Sequence, residues 1–498
     1  MKRRLLNGSN FGKLVILIGL LIAVPLLTLP FYPNEVQYSV FFIIPAIASI
    51  ILGFVLCLFS KQNDNDSGWQ NNMQNGSLTV LFTWGYGFIA GALPFVFSRQ
   101  LTFVQALFEA VSGWTTTGLS VIDVTVTPHI FLFHRSFMQF CGGLGFIAMM
   151  VMFIQPKQSM NLYNAEGHPD KLMPNLKKTA RTIFLMYISF LFAGTIFYII
   201  FGMEPFDSLL HAMCALSTGG FSTKLNSIGE YNSFSIEGVT IVLMLIGTTN
   251  FATLLLFAKK KWKQAARVSE IRFMLFLLTI FVPLITISLF SGLNMGIGES
   301  LRRALFDGIS ALSTTGYSSM SYVSWPPFAI GLLILLMLIG GGIGSTAGGI
   351  KMTRVYLMYR ITIENIRKRL SPTRRVSFPQ YIRAQGKTAI DTSLVVDTTG
   401  YVSCYLGIFI TGSLLLTITA GCTLNEAMFE FASALGTVGL SIGITATTAS
   451  NATLIIEMVG MILGRLEIFI VLTGIYSGIS IIGQHIHRKN VCSYNIKN

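Results

Sequence analysis

Four segments of the chain repeat one arrangement, in which a polar side chain precedes a group of hydroxyl residues and a glycine. They read LFEAVSGWTTTGLS at 107–120, LLHAMCALSTGGFS at 209–222, LFDGISALSTTGYS at 305–318 and MFEFASALGTVGLS at 428–441. Each glycine follows the polar residue by nine positions, and successive glycines are 102, 96 and 123 residues apart. A repeat of this length predicts four copies of one structural unit.

The chemistry open to such segments is the coordination of a cation by backbone oxygens. Within apolar surroundings, non-helical backbone persists only where it is buried in protein or lines water. Four loops that meet around one axis can replace the hydration shell of a cation, and glycine reaches backbone angles closed to other residues. We therefore predict an ion-binding filter formed by Thr116, Thr117, Gly118, Thr218, Gly219, Gly220, Thr314, Thr315, Gly316, Thr437, Val438 and Gly439.

The polar residue of each segment suits a supporting role. It lies about two and a half helical turns before the glycine, so we predict that it anchors the loop by hydrogen bonds and does not contact the ion. These residues are Glu109, His211, Asp307 and Glu430. The alternative is that the segments serve helix packing, because small residues are common at helix interfaces in membranes. Four copies at fixed spacing favour the filter.

The composition predicts that these segments lie in a membrane. Of 498 residues, 52% are hydrophobic and 11% are charged, whereas a soluble domain carries roughly 25% charge. Several apolar runs approach the roughly 20 residues that cross a hydrocarbon core, among them 14–29, 40–59, 183–201, 273–290 and 328–339. We predict an all-α polytopic membrane protein, with the first apolar run retained as a helix and not removed as a signal peptide.

The distribution of positive charge predicts the orientation of the chain. Of the 35 lysines and arginines, 29 fall in six segments that share one side if the chain crosses an even number of times between them. An excess of Lys and Arg marks cytoplasmic segments, so both termini are predicted to be cytoplasmic. Lipid headgroups and a cytoplasmic partner then account for the net charge of +14 without nucleic acid.

Each repeated segment requires the same set of helices to position it. An apolar span comes first, followed by a helix too short to cross, the loop, and a second apolar span. With two N-terminal spans, this predicts ten crossings and four re-entrant pore helices in pseudo-symmetric repeats around one central pore. The predicted boundaries are an N-terminal two-helix segment at 1–60, a cytoplasmic loop at 61–77, repeats at 78–155, 181–258, 273–360 and 394–483, a basic cytoplasmic loop at 361–390 and a cytoplasmic tail at 484–498.

A second glycine pattern lies 24 to 27 residues after each filter glycine. It reads CGGLGFI at 141–147, IGTTNFA at 246–252, IGGGIGS at 339–345 and LGRLEIF at 463–469. Glycine there permits close helix approach or a break inside the membrane. The longest version, GGGIGSTAGGIK at 340–351, predicts a movable break beneath the filter, with a simple helix kink as the alternative. Its predicted gate residues are Gly344, Ser345, Thr346, Ala347, Gly348, Gly349 and Lys351.

The same segment fits nucleotide-binding motifs poorly. A Walker A loop needs lysine where Ile350 stands, and the dinucleotide pattern at Gly342, Gly344 and Ala347 lacks a βαβ context. A nucleotide-binding site at 340–351 is therefore disfavoured.

Arg465 is a charge placed deep inside an apolar span. It lies about twelve residues, or about 18 Å, from the outer end, where a charge costs at least roughly 2.5–3.5 kcal/mol on insertion scales. Glu467 is two residues on and points away around the helix. We predict that Arg465 faces the pore below the filter and repels cations there. The alternative is a buried salt bridge to Asp307, Glu109 or Glu430.

Other chemistry is not indicated. The six cysteines are scattered without a C-x-x-C pair, the six histidines form no ligand cluster, and no Ser-His-Asp arrangement is visible. The sequence therefore predicts neither an enzyme nor a bound cofactor.

The four filter glycines, GSTAGGIK at 344–351 and GRLEIF at 464–469 resemble, in register, the Trk/Ktr/HKT superfamily of potassium transporters over about 78–483. The two N-terminal spans and GRLE are similar to its TrkH branch. The resemblance implies potassium as the substrate, because in this family glycine at all four filter positions goes with potassium and serine in the first goes with sodium. It also implies an intramembrane gating loop, a pore arginine, a homodimer and a cytosolic TrkA-like nucleotide-binding regulatory subunit. Thr248 stands where the family usually has glycine.

Three functions remain to be distinguished. The first is potassium uptake across the cell inner (cytoplasmic) membrane, driven by the membrane potential. The second is a sodium- or proton-coupled potassium symporter that uses the same filter. The third, a membrane-embedded nucleotide-binding enzyme, depends on 340–351 alone.

Overall fold

The computed structural model describes residues 8–58, 69–145, 176–371 and 379–479. Some predicted segments lie wholly or partly outside these described residues. These include the tail at 484–498, the end of the first repeat after Gly145 and the first part of the loop at 61–77.

The chain begins with two closely packed apolar helices. Helix α1 (Gly8–Ala23) is followed by two short 3-10 segments (Val24–Thr28 and Pro33–Tyr38) and by α2 (Ser39–Leu58). A methyl group at Gly53 would meet the backbone of Gly12, so the glycines allow the two helices to touch. Helix α2 leaves Ile47, Ile51 and other large apolar side chains exposed, as expected of a surface that faces lipid.

Four similar units follow. The first contains α3 (Trp69–Phe97), α4 (Phe103–Trp114) and α5 (His129–Leu144). The second contains α6 (Leu176–Ile200), α7 (Pro205–Leu216), α8 (Phe234–Thr248) and α9 (Phe251–Ala258), and the short α10 (Trp262–Ala265) follows it. The third contains α11 (Ser269–Leu293), α12 (Ile297–Leu312), α13 (Pro327–Leu338) and α14 (Met352–Leu370). The fourth contains α15 (Thr392–Ala420), α16 (Leu424–Gly436), α17 (Asn451–Arg465) and α18 (Ile468–Ile479).

The short helices α4, α7, α12 and α16 precede the four repeated loops, and local signals mark where α4, α7 and α16 begin. Thr102 and Gln105 form a capping box at α4, and Thr423 and Glu426 form another at α16. Such boxes satisfy backbone N–H groups that have no partner in the first turn. Pro205 stands at the first position of α7, where its missing N–H costs nothing.

The second apolar span is interrupted in the second, third and fourth units, as the second glycine pattern permits. Among the described residues, six helices are long and apolar enough to cross a membrane, or seven if α8 and α9, which bend by 115°, form one span. Residues 339–351 separate α13 from α14, and Leu466 and Glu467 separate α17 from α18. The breaks fall at the second glycine pattern, where adjoining backbones approach too closely for side chains.

Two boundaries predicted from hydropathy also differ from the structure. Helix α3 begins at Trp69, inside the predicted loop at 61–77, because a helix continues beyond its apolar part, which covers Leu78–Phe97. Within the predicted loop at 361–390, α14 extends to Leu370 and a hairpin forms from β1 (Gln380–Arg383) and β2 (Gly386–Ala389). The hairpin pairs Gln380 with Ala389 and Arg383 with Gly386 in antiparallel register.

Neighbouring units share their apolar cores. One cluster joins α3, α4 and α5 to Leu454 and Met461 of α17, a second joins the third and fourth units, and a third joins the first three. The first and fourth units therefore meet directly, and the four units close into a ring.

Candidate functional site

The four repeated loops meet at one place through their backbones. A β-carbon added at Gly118 would overlap the carbonyl oxygen of Gly219, and one at Gly220 would overlap that of Thr315. The pattern continues around the ring: a β-carbon at Gly316 would overlap the oxygen of Val438, and one at Gly439 that of Thr117. We call these four oxygens, on Thr117, Gly219, Thr315 and Val438, the carbonyl ring. Each loop supplies one oxygen and one glycine, and any side chain at the glycine would collide with the next loop.

A common backbone motif aims the four loops. The residue after each short helix, or the next but one, is a threonine with positive φ: Thr116 (57°), Thr218 (53°), Thr314 (56°) and Thr437 (50°). The next residue donates its N–H back to the helix, over 2.9, 2.8, 3.0 and 2.8 Å respectively, at the carbonyls of Ser112, Cys214, Ser310 and Ser433. This bond and the left-handed residue before it are those of a Schellman motif. The helix ends therefore fix the start of every loop.

The predicted supporting residues bind the chain just after each filter glycine. Ser120 donates to Glu109 over 3.1 Å, and Ser441 donates to Glu430 over 2.6 Å. His211 donates from Nδ1 to the carbonyl of Asp207, so its Nε2 accepts the 3.0 Å bond from Ser222.

In the third unit the acceptor is a shorter side chain, Asp307. It accepts from the hydroxyl of Ser319 over 2.5 Å and from the hydroxyl of Tyr322 over 2.8 Å. All four supporting side chains are fully buried. Each holds the outgoing part of its own loop by hydrogen bonds inside the protein.

A cavity of about 380 Å³ opens on one side of the carbonyl ring. The four filter glycines and Ser120, Ser222, Ser318 and Ser441 line it, together with Arg135 and Lys224. Lys224 pairs with Asp207 over 3.1 Å. Burial lowers the pKa of Lys224, but the Asp207 carboxylate outweighs this and raises the pKa above its ordinary value. The cavity thus has a polar wall of hydroxyl groups with fixed positive charges at its edge.

Arg135 and Gln139 also contribute to this region, and neither belongs to the repeated segments or to the second glycine pattern. Arg135 is buried and pairs with Glu109 over 2.5 Å, and its guanidinium lies 4.2 Å from the ring centroid of Phe221. Gln139 donates to the carbonyl of Gly219 over 2.6 Å and accepts from the N–H of Phe221. Helix α5 of the first unit therefore holds the loop of the second. The signal that could have revealed Arg135 is the one used for Arg465, a charge within an apolar span.

The opposite side of the carbonyl ring is covered by the glycine-rich segment. The hydroxyl of Thr346 lies 3.2 Å from that of Thr218, and the N–H of Gly348 donates to the hydroxyl of Thr314 over 3.0 Å. A β-carbon at Gly348 would overlap the hydroxyl of Thr437. Residues 346–348 thus contact the first residue of three of the four filter loops.

The rest of the glycine-rich segment docks on the broken helix of the second unit. Gly342 donates to the carbonyl of Thr248 over 3.0 Å, and Thr346 donates from its N–H to Gly247 over 3.2 Å. Asn250 caps α9 with its side-chain oxygen and donates from its amide nitrogen to the carbonyl of Ile343. The segment is folded back on itself, because Gly340 and Ile350 are paired over 2.8 Å.

The remaining predicted gate residues stabilise this fold internally. Ser345 donates from its hydroxyl to Gly342 over 2.7 Å, and Lys351 donates from Nζ to Ala347 over 2.5 Å. Gly344 and Gly349 adopt φ of 74° and 67°, which glycine accepts without strain. These bonds give backbone groups of the segment partners within the protein. The sheet in the described residues is a hairpin and not the βαβ unit that a dinucleotide-binding motif requires.

Arg465 fastens the glycine-rich segment to the first unit. It donates to the carbonyl of Thr346 over 2.6 Å, to Gly143 over 3.4 Å and also to Gly142. The carboxylates considered as partners, Glu109, Asp307 and Glu430, are bound to their own loops. Glu467 pairs with Arg354 over 2.7 Å.

Among the described residues, no group of three or more histidine, cysteine or acidic side chains is arranged to hold a metal ion. The four oxygen atoms of the carbonyl ring belong to the backbone.

Comparison with known proteins identifies relatives along nearly the whole chain. A family profile named TrkH, described as cation transport protein, matches residues 42–476. The Trk system potassium uptake protein TrkG of Escherichia coli (strain K12) is 31% identical over 490 residues, which cover 94% of this chain and 96% of that protein. The Trk system potassium uptake protein TrkH of the same strain is 29% identical over 425 residues, covering 81% of this chain and 87% of that protein.

The fold has a solved counterpart. The crystal structure of the potassium transporter TrkH from Vibrio parahaemolyticus superposes with a TM-score of 0.80 at 26% sequence identity, covering 94% of this chain and 97% of that chain. The prediction of an all-α polytopic membrane fold is thereby confirmed.

Proposed function

Since this chain belongs to the TrkH family of cation transport proteins, we propose that it takes up potassium through the carbonyl ring and that residues 344–351 and Arg465 gate this path. As a member of the family it is a multi-pass membrane transporter and not an enzyme.

The observation that carries the proposal is the carbonyl ring. Each of the four loops places one peptide oxygen against the glycine of a neighbouring loop. Such oxygens can replace the water around a cation. A monovalent ion then needs no carboxylate on the axis. Potassium is the favoured substrate because all four loops have glycine at the equivalent position and because the relatives named above are potassium uptake proteins.

The gating proposal rests on the contacts under the ring. Residues 346–348 touch the start of three loops, so an ion that leaves the ring on this side must displace them. Arg465 holds the same residues in place and sets a positive charge beside the path. When the segment moves away, cations flow inward along the membrane potential, which favours each by about 2.3 kcal/mol per 100 mV.

We further propose a homodimer in the inner membrane with cytoplasmic termini and a cytosolic TrkA-like nucleotide-binding subunit that controls the gate. The relatives are named as parts of a Trk system, and the last turn of α14 carries Arg367, Lys368 and Arg369. A basic turn of this kind suits lipid headgroups or an acidic partner surface.

The test is potassium or rubidium uptake in cells that lack their own uptake systems, comparing wild type with Gly316→Ser. A side chain at Gly316 would collide with the carbonyl of Val438, so we expect uptake to fall at least about tenfold or to lose its preference for potassium over sodium. Gly331→Ser is the matched control, because nothing lies within 4 Å of a β-carbon there.

Unchanged ion preference and rate in Gly316→Ser would contradict the filter. The coupled symporter remains the second candidate for the same ring, and it predicts that wild-type uptake stops when sodium and a proton gradient are both withheld.

A further inference from the structure

Two buried glutamates beside the fourth loop share one hydroxyl group. Thr445 Oγ1 lies 2.5 Å from Glu430 Oε1 and 3.0 Å from Glu457 Oε2. Both glutamates are fully buried, and Thr445 is 8% exposed. Glu430 is on α16, Glu457 is on α17 and Thr445 lies in the connection between them, so the three residues tie two helices of the fourth unit together.

Glu430 has the surroundings of an ionised carboxylate. Its Oε1 accepts from Ser441 Oγ over 2.6 Å and from the N–H of Thr445 over 3.0 Å, in addition to Thr445 Oγ1. Its Oε2 accepts from the N–H of Ile442 over 3.0 Å. A carboxylate with several such donors is stabilised in its charged form. Glu430 therefore needs no proton of its own.

Glu457 lacks donors for a negative charge. The Thr445 hydroxyl has a single hydrogen, and the shorter distance assigns it to Glu430. Glu457 Oε1 is buried and meets no hydrogen-bond donor among the described residues. An ionised Glu457 would thus be a buried charge without compensation, which is strongly unfavourable.

No basic side chain is close enough in sequence to neutralise the pair from its own unit. There is no lysine, arginine or histidine between Lys387 and Arg465. Arg465 is the last residue of α17 and donates to the backbone carbonyls of Thr346 and Gly142. Helix α17 packs against α4, α15 and α16. The acidic groups on those helices are Glu109, Asp397, Glu426 and Glu430. Of these, Glu109 pairs with Arg135. The other titratable groups there and in the α15–α16 connection are Tyr401, Cys404, Tyr405 and Cys422, none of which is cationic.

We propose that Glu457, Thr445 and Glu430 form a proton-binding site in which one proton is held between the two carboxyl groups. Glu457 Oε2 carries the proton and donates it to Thr445 Oγ1, and Thr445 donates its own hydrogen to Glu430 Oε1. Two carboxyl groups that share one buried hydroxyl group do not both ionise. The proton lowers the charge of the pair from −2 to −1 and leaves the Glu430 carboxylate free to hold Ser441 and Ile442, which follow the filter glycine Gly439.

The site makes the fourth loop sensitive to alkaline pH. When Glu457 loses its proton, a second negative charge faces Glu430 and the hydrogen bond from Glu457 to Thr445 is lost. The anchor of the fourth loop then weakens, so uptake falls as pH rises. Each unit of pH above the midpoint of this ionisation lowers the protonated fraction about tenfold.

Infrared spectroscopy of the purified protein tests the proton directly. Wild type at neutral pH should show the C=O stretching band of a protonated carboxylic acid, and Glu457→Gln should lose one such group. Glu426→Gln is the matched control, because Glu426 lies on the same helix as Glu430, α16, where it caps the first turn and does not contact the pair. Thr445→Val should keep the band but shift it, since the acceptor of the Glu457 proton is gone.

The infrared difference does not depend on the proposed function, whereas the uptake profile rests on it. Glu457→Gln should keep wild-type uptake at neutral pH, within about twofold, and should lose the alkaline decline that wild type and Glu426→Gln share. An unchanged infrared band in Glu457→Gln overturns the proton site. A wild type without the band, with carboxylate bands that respond to sodium or potassium, also overturns it, because a metal cation would then take the place of the proton.

Discussion

At the scale of the residue, threonine occupies the start of each of the four loops in a backbone region that β-branched residues rarely adopt. Such strain costs on the order of 1–3 kcal/mol per residue and persists only where the surroundings hold it in place. Here the Schellman bond at the end of each short helix provides that hold. The cost recurs four times at the positions that aim the carbonyl ring, which favours a functional origin.

Arg465 is the residue whose charge the proposed gate depends on most. We expect Arg465→Ala to raise rubidium uptake about tenfold, which corresponds to a barrier lower by about 1.4 kcal/mol. This is part of the repulsion of roughly 4 kcal/mol between two positive unit charges 4 Å apart near a protein surface. The substitution also removes the bond to Thr346 that holds the glycine-rich segment. Uptake in cells, normalised to the amount of protein in the membrane, measures the change.

Arg465→Lys is the control, because it keeps the positive charge but loses the planar group that reaches three carbonyls. We expect it to stay closer to wild type than the alanine variant. Flat uptake in Arg465→Ala with a collapse of expression would instead assign Arg465 a purely structural role.

At the scale of the element, the broken second helices create the room in which the glycine-rich segment lies. Helix α8 ends at Thr248 and α9 begins at Phe251 at an angle of 115°. The carbonyls and N–H groups freed at such a break need partners within the protein. The glycine-rich segment supplies them through Gly342 and Thr346.

Asn250 allows this docking to be tested. Asn250→Ala removes one hydrogen bond to Ile343. A net loss of about 1 kcal/mol changes the equilibrium constant between the docked and undocked forms of the segment roughly fivefold in favour of the undocked form. We expect uptake to rise by up to this factor when the regulatory partner is absent. Flux measurements in proteoliposomes report it.

Asn250→Asp separates the two roles of this side chain. It keeps the oxygen that caps α9 and replaces the donor to Ile343 with a second acceptor. A rise in both variants assigns the effect to the docking contact, whereas a rise in the alanine variant alone assigns it to the cap.

At the scale of the whole molecule, the carbonyl ring exists only when all four units are in place. Each oxygen lies against the glycine of a different unit, and the first and fourth units close the circle. The ring is therefore a property of the closed arrangement and not of any single repeat.

The orientation of the whole molecule is testable by labelling introduced cysteines. In a variant without native cysteines, Lys263→Cys should react with a membrane-impermeant maleimide only after permeabilisation, because it lies in a lysine-rich segment. Val126→Cys, which replaces a residue 78% exposed between α4 and α5, should react from outside. Reaction of both positions in intact cells would contradict the predicted orientation.

Much of the fold follows from the sequence because its signals are local. The spacing of the glycines, the length of the apolar runs and the short helix before each loop all depend on residues within one unit. The helix too short to cross that was predicted before the first loop is α4, which occupies Phe103–Trp114. Helix boundaries such as Trp69, and the hairpin at Gln380–Ala389, escaped prediction because hydropathy marks where a helix is apolar and not where it ends.

The sequence by itself determined that four similar units lie in a membrane, and which residues each unit contributes to a loop. Only the tertiary structure decided which glycine meets which carbonyl, that Arg135 pairs with Glu109, that Arg465 binds the carbonyl of Thr346, and that Glu457 shares Thr445 with Glu430. These contacts join residues that are distant along the chain or lie on different helices. Their partners are set by how the helices pack and close around the axis. The spacing of residues within one segment does not determine this packing between segments.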